Sequence, residues 1–325
     1  MKQWLNSLPG LIGRWVLIVV VLAASAAPLL APNRPEDLFA DRAYAPPTRV
    51  HLHDADGWHA PFVYKQVLTD RLMQRYHEDR SARVPIVWGA DGRLASVSAS
   101  AGPLLWLGAD SLGRDTFSRL LFGARLSLGV TVAGALGALV VGALIGGLAG
   151  AAGGFVETAL MFAADFMIVL PAVYLVLVLR GSLAPVLPLA TIFAVMAAIF
   201  ALVGWPRVAR GVRSIVATER ARDYAMAARA AGAGPWRVAA QLLPATRGFL
   251  SVELVLLVPA LLLAETTVSY LGLGFPESTP SWGTMLQDAS NIQMMGAAPW
   301  LLAPAAALFI VVLGLQLVAT RRQPN

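Results

Sequence analysis

The sequence predicts an all-α membrane protein: about six transmembrane helices, with an extracytoplasmic insert between the first and the second. Three observations carry this. Hydrophobic residues make up 57% of the 325 and charged residues only 14%, which leaves too little polar surface for a soluble chain of this size. The mean hydropathy is +0.66. The apolar residues also gather into long stretches, each able to cross a hydrocarbon core of about 30 Å at 1.5 Å per residue. Within one such span only a helix satisfies every backbone group.

The first stretch covers residues 15–30, preceded by Lys2 and Arg14. Its small residues Ala23 to Ala27 also suit a secretory signal peptide. An uncleaved anchor is expected, because Pro28-Leu29-Leu30 carries the apolar run past that point. The second stretch, 126–149, lies in a segment with no charge between Arg125 and Glu157. The third, 158–179, contains Asp165; the fourth covers 186–203. The fifth, 249–271, contains Glu253 and Glu265, and the sixth, 300–319, ends at Arg321 and Arg322. The domains read from this are an N-terminal anchor at 1–31, an extracytoplasmic insert at 32–104 and a membrane core at 105–325.

Charge placement orients the spans. Between the fourth and fifth lie Arg207, Arg210, Arg213, Arg220, Arg222, Arg229, Arg237 and Arg247, opposed only by Glu219 and Asp223. Short loops rich in Lys and Arg stay in the cytoplasm. Six spans then place both termini there, in agreement with Lys2 and Arg14 at one end and Arg321 and Arg322 at the other. The net charge of +6 is thus assigned to bilayer orientation, not to nucleic acid. Cysteine is absent, which removes disulfides, thiolate metal sites and a cysteine nucleophile. Lysine occurs only at Lys2 and Lys65; neither follows a glycine-rich turn and precedes Ser or Thr, so no phosphate-binding loop is expected.

The insert is punctuated by Pro32, Pro35, Pro46, Pro47, Pro61, Pro85 and Pro103. Residues 64–79 fit one amphipathic helix, and 85–88 with 94–97 around Asp91-Gly92 fit a hairpin. His51, His53 and His59 have spacing compatible with a metal, but with Asp54 and Asp56 as the only nearby acids a solvated loop is the expectation. In the arginine-rich segment, Thr218 suits an N-cap and Gly232 a C-cap. Pro235 suits the first turn of a second short helix, closed by Pro244. A helix, a glycine break and another helix form an L-shaped protrusion suited to a groove on a cytoplasmic partner. On composition alone the favoured reading is a solvated linker helix with arginines set at the headgroups. The glycines at 134, 137, 142, 146, 147 and 150 are expected to let helices pack closely.

Ala227-Ala228, Gly232 and Leu243-Pro244 resemble the coupling loop of ABC-importer permeases. Asp223-Tyr224 through Ala233 and Pro235-Trp236-Arg237 resemble, more narrowly, the second permease of the oligopeptide/dipeptide importers. The family's glutamate falls on Met226, and the stretch before Leu243-Pro244 is one residue shorter. Leu107-Gly108-Ala109-Asp110-Ser111-Leu112-Gly113-Arg114-Asp115, with Ser118-Arg119-Leu120-Leu121-Phe122-Gly123-Ala124-Arg125-Leu126-Ser127-Leu128, is similar to the same family's entry into the second span. The glycine-rich 146–154, and Ser269 to Gly274 with Thr279-Pro280-Ser281-Trp282-Gly283, follow its pattern in the same order.

The resemblance implies a non-catalytic permease subunit of the bacterial inner membrane, with its coupling helices at about 218–244. It implies ATPase-coupling roles for Asp223, Ala227, Ala228, Gly232, Leu243 and Pro244. It also implies partners: a second homologous permease, two ATPase subunits or domains that bind ATP and Mg, and an extracytoplasmic solute-binding protein. No cofactor is expected on this chain. Peptide is the expected cargo, with nickel or another small solute the alternative. An ATP-independent secondary transporter is the rival class, but it calls for inverted repeats or an ion relay, and neither is seen. Asp165 is expected near the cytoplasmic face in a structural or coupling role. For Glu265 two readings stand open, the pathway or a contact with the second permease.

Overall fold

The computed structural model describes residues 2–54, 56–71, 73–98, 102–170, 172–182, 187–290 and 296–319, without the side chains of 2–8, 91, 172 and 173. Expectations resting on Arg321, Arg322, Pro171, Val186 and the side chains of Lys2 and Asp91 therefore lie outside the described residues. The chain divides into two units, one of Met1–Trp15, Leu128–Val268 and Val312–Asn325, the other of Val16–Ser127 and Ser269–Val311.

Four stretches among the described residues are long and apolar enough to cross a membrane: Thr116–Ala152, Leu189–Glu219, Pro235–Tyr270 and Pro299–Ala319. A bent pair, Gly154–Val169 with Tyr174–Gly181, makes a fifth. Against the expected six, the first apolar stretch forms a shorter apolar helix, Pro9–Ser25, within α1 (Lys2–Ser25). A four-residue turn, α2 (Ala27–Leu30), follows it.

The first unit holds the greater part of α3 (Thr116–Ala152) together with α4 (Gly154–Val169), α5 (Ala172–Gly181) and α6 (Leu189–Glu219). The α3 glycines Gly134, Gly137, Gly142, Gly146 and Gly150 lie close against α6. A Cβ on Gly134 would meet Phe200 Cβ at 2.5 Å, and one on Gly146 would meet the Ala209 carbonyl oxygen at 2.3 Å. Helices without a hydrophobic drive between them associate through small residues in this way. Ala164, Trp205 and Ala209 complete the α4–α6 contact.

The third span is not the continuous helix expected over 158–179. It breaks after Val169, and its two arms meet at 88°. Leu170 precedes a proline and has φ −69°, ψ 127°, the extended conformation that a following proline imposes; the proline also removes an N–H from the helical ladder.

The second unit contains the insert. Its 64–79 segment is a hairpin, not a helix: β1 (Val50–Asp54), β2 (Gly57–Asp70) and β3 (Arg75–Pro85) form an antiparallel sheet in that order. Along β2, Tyr64 and Gln66 are buried while Lys65 and Val67 are exposed. That alternation of period two, paired with β3 from Tyr64 to Asp70, overrides the helical reading. The chain reverses through Gln74 at φ 49°. The expected second hairpin is present, with β4 (Val87–Trp88) antiparallel to β5 (Ala95–Ser96). Val63, Ile86, Ala95 and Leu104 form the insert's small core.

Candidate functional site

In the first unit, α6 continues to Glu219, and the next helix begins only after it. Thr218 is therefore not the expected N-cap. Its hydroxyl donates to the Ser214 carbonyl at 3.0 Å inside α6, because the Arg and Ala residues around it are strong helix formers. The cap position falls to Arg222, and α7 covers Asp223–Ala230 with Asp223 in its first turn, where a carboxylate suits the helix dipole.

Gly232 ends α7 at φ 84°. Its N–H bonds the Arg229 carbonyl at 2.9 Å, and the Ala233 N–H bonds the Ala228 carbonyl at 3.0 Å. This pair of bonds is a Schellman closure, which places a left-handed residue just beyond a helix end. Helix α8 (Pro235–Leu242) starts on Pro235, as expected. Just beyond Leu242, where α8 ends, comes Pro244. It sits in a 3-10 turn, Leu243–Thr246, that feeds α9 (Arg247–Tyr270).

One side of this segment is anchored: Ala225, Val238, Ala239 and Leu242 are buried, and Leu243 lies over Gly147 of α3. The other side is open. Asp223, Ala227, Gly232 and Pro244 are exposed and Ala228 and Leu243 half-buried, and the large apolar residues Tyr224, Met226 and Trp236 are exposed beside them. An apolar surface rimmed by arginines is the form of a protein-docking face.

The charges within the spans of this unit fall in different settings. Asp165 pairs with Arg210, and Glu157 pairs with Arg213, both joining α4 to α6. Glu253 is buried on α9 and Glu265 is fully buried.

The second unit contains a polar cluster that the sequence did not reveal as such. Asp110 accepts the N–H groups of Leu112 and Arg114 at 2.9 Å each, and the Arg114 Nε–H at 2.6 Å. Gly113 makes the turn at φ 78°, where a Cβ would strike the Phe39 carbonyl oxygen at 2.1 Å. Arg114 also donates to the Glu277 carbonyl at 3.2 Å and to Asp288 at 3.0 Å. Arg119, fully buried, donates to the carbonyls of Pro35 and Glu277 at 3.3 and 3.2 Å. Asp288 closes α10 (Trp282–Asp288), which a Ser281–Thr284 capping box opens. The Trp282 N–H reaches Ser127 Oγ at 3.1 Å. The motif before the second span and the one after the fifth are thus two halves of one buried ionic clamp.

Asp115 caps α3 beside this clamp. It accepts from the Phe117 N–H at 3.1 Å, from Asn33 Nδ2 at 3.0 Å and from the Ser118 hydroxyl. Burial nonetheless raises its carboxyl from 3.8 to about 6. Burial likewise pushes Asp288 up to about 6, helped by the nearby Asp110.

A raised carboxyl binds more protons folded than unfolded, so its stabilisation is complete below pH 3.8 and is lost as pH rises through about 6. The displacement of Asp115 corresponds to about 3 kcal/mol. Between pH 4 and 6 the wild type is therefore expected to lose stability relative to Asp115→Asn by an amount of this order. Thermal unfolding in detergent at stepped pH checks it.

Residues 138–323 match the family described as the binding-protein-dependent transport system inner membrane component. The chain belongs to that family. The matched region contains α6, the α7–α8 segment and α9, while the β-stranded insert lies outside it. Among relatives, the dipeptide transport system permease protein DppC of Bacillus subtilis is 37% identical over 184 residues, covering 56% of each chain. The oligopeptide transport system permease protein OppC of the same organism is 34% identical over 215 residues, covering 66% of this chain and 68% of its own. The nickel transport system permease protein NikC of Escherichia coli K12 is 40% identical over 220 residues, covering 66% and 75%.

The insert histidines do not converge. His51 pairs with Glu78 at 3.4 Å and lies against the Phe62 and Tyr64 rings, His59 pairs with Asp54 at 3.1 Å, and His53 meets the Trp58 ring edge. Among the described residues no group of three or more His, Cys, Asp or Glu side chains is arranged to hold a metal.

Proposed function

We propose that this chain is a permease subunit of an ATP-driven importer in a bacterial inner membrane, with both termini cytoplasmic, and that its cargo is oligopeptide or dipeptide. The observation that carries the reading is the α7–Gly232–α8 segment, anchored on one side and presenting Tyr224, Met226 and Trp236 on the other, in a chain of this family. Asp223, Ala227, Ala228, Gly232, Leu243 and Pro244 form the surface by which ATPase partners move the spans; those partners bind the ATP and Mg. A second permease completes the pathway, and an extracytoplasmic binding protein delivers the solute. Asp165, already paired, and Glu265, fully buried, are assigned to the fold of this subunit and not to solute contact. The names of DppC and OppC support peptide as cargo, and that of NikC supports nickel as the second reading.

The test is gentle solubilisation of the tagged chain from its native membrane. ATPase subunits are expected to co-purify, and Trp236→Glu is expected to shed them while retaining the second permease. Recovery of the chain with no ATPase under any mild detergent would sink the reading.

A further inference from the structure

Between α5, α6 and α9 the first unit carries a trough of about 320 Å³. Its α9 side is one helical stripe running through Ala260, Ala264 and Thr267, and Met167 and Leu175 line it from the two arms of the broken span. Apolar groups dominate the wall, and among the described lining residues Arg207 of α6 is the one that is charged. Glu253, buried on α9, acts on Arg207 electrostatically, but among the described residues no carboxylate lies within ion-pair distance, 4.0 Å, of the Arg207 guanidinium.

Two features argue against lipid as the occupant. A guanidinium within a span faces the bundle interior or a water-filled cavity, because acyl chains do not solvate it. Interrupted helical backbone at membrane depth is tolerated only where protein covers it or it lines such a cavity, and Leu170 on the trough wall is the residue at that interruption. The chemistry of the wall then selects among solutes. A hydrated divalent cation would find no carboxylate or imidazole among the described lining residues and would meet the positive charge of Arg207. A molecule with apolar side chains and a carboxylate would be complementary to both parts.

On the importer-permease reading, we infer that this trough is the chain's own wall of the solute path and that Arg207 receives the solute's carboxylate, so that the path suits peptides and excludes divalent metal. The experiment uses the complete complex in proteoliposomes, with its binding protein and ATP, and two probes: labelled trileucine and nickel ion. Wild type is expected to take up trileucine and not nickel. Arg207→Gln is expected to lower trileucine uptake by about tenfold, the equivalent of one lost charge-assisted hydrogen bond, and Arg207→Lys to restore a large part of it. Ala264→Trp, which fills the trough without touching the charge, is expected to block uptake too. Assembly of each variant is verified by co-purification of the partner subunits.

Nickel uptake by wild type without trileucine uptake overturns the inference but leaves the importer reading intact. So does trileucine uptake unchanged in assembled Arg207→Gln and Ala264→Trp complexes. Absence of ATP-dependent uptake of either probe, with no response of ATP hydrolysis to the binding protein, fails the importer reading itself.

Discussion

Arg114→Ala should destabilise the protein by about 3–5 kcal/mol, the cost of stranding buried charge partners. Arg114 is 4% exposed at the side chain and is held by Asp110, also buried, and by Asp288, while its second arm reaches the Glu277 carbonyl. Removing it leaves two carboxylates facing each other, with Arg119 the remaining cation. Thermal unfolding in detergent reads the loss. The double variant Arg114→Ala/Asp288→Asn is expected to recover part of it, because the second change removes one stranded charge. Additive losses would show that Arg114 and Asp288 do not act as a pair.

Gly232→Val should lower transport by about tenfold without displacing the chain from the membrane. No atom lies within 4 Å of a Cβ built there, so the effect is conformational alone: φ is +84°. A side chain other than Gly or Asn in that region costs about 1–2 kcal/mol, and about 1.4 kcal/mol is tenfold in a population. The strained closure then presents α7 and α8 in the docking geometry only a minor part of the time. Gly232→Asn tolerates the left-handed turn and should transport nearly as wild type. Uptake assays on membranes with matched levels of the three proteins separate the outcomes; equal transport by the Val and Asn variants would refute the closure as the source.

The apolar helices and the helix–glycine–helix segment were legible because their signals are local. A run of apolar residues, a glycine past a helix end and a proline at a helix start all state their structure within a few positions. The same locality explains the errors. Thr218 has the chemistry of a cap, but its own neighbours extend α6 past it. Residues 64–79 fit two periods, and only the pairing of β2 with β3 chooses between them. Leu170 announced the broken span through the proline beside it, yet an uninterrupted apolar run concealed the turn. The clamp was the least legible: residues 110–119 and 277–288 are far apart in sequence, and neither motif says that the other completes it. Arg207 was hidden in the same way, counted among the arginines that orient the loop while the fold sets it in a trough.

The contact between α3 and α6 has a mechanical consequence. Gly134, Gly142, Gly146 and Gly150 bring the two helices together with backbone or Cβ atoms as the facing surface. Long side chains between helices act as springs, since each can change rotamer and absorb part of a displacement. Here the facing surface has few such springs. A push delivered to α6 at its Glu219 end is therefore passed to α3 with little lost on the way, and the pair behaves as a single stiff beam.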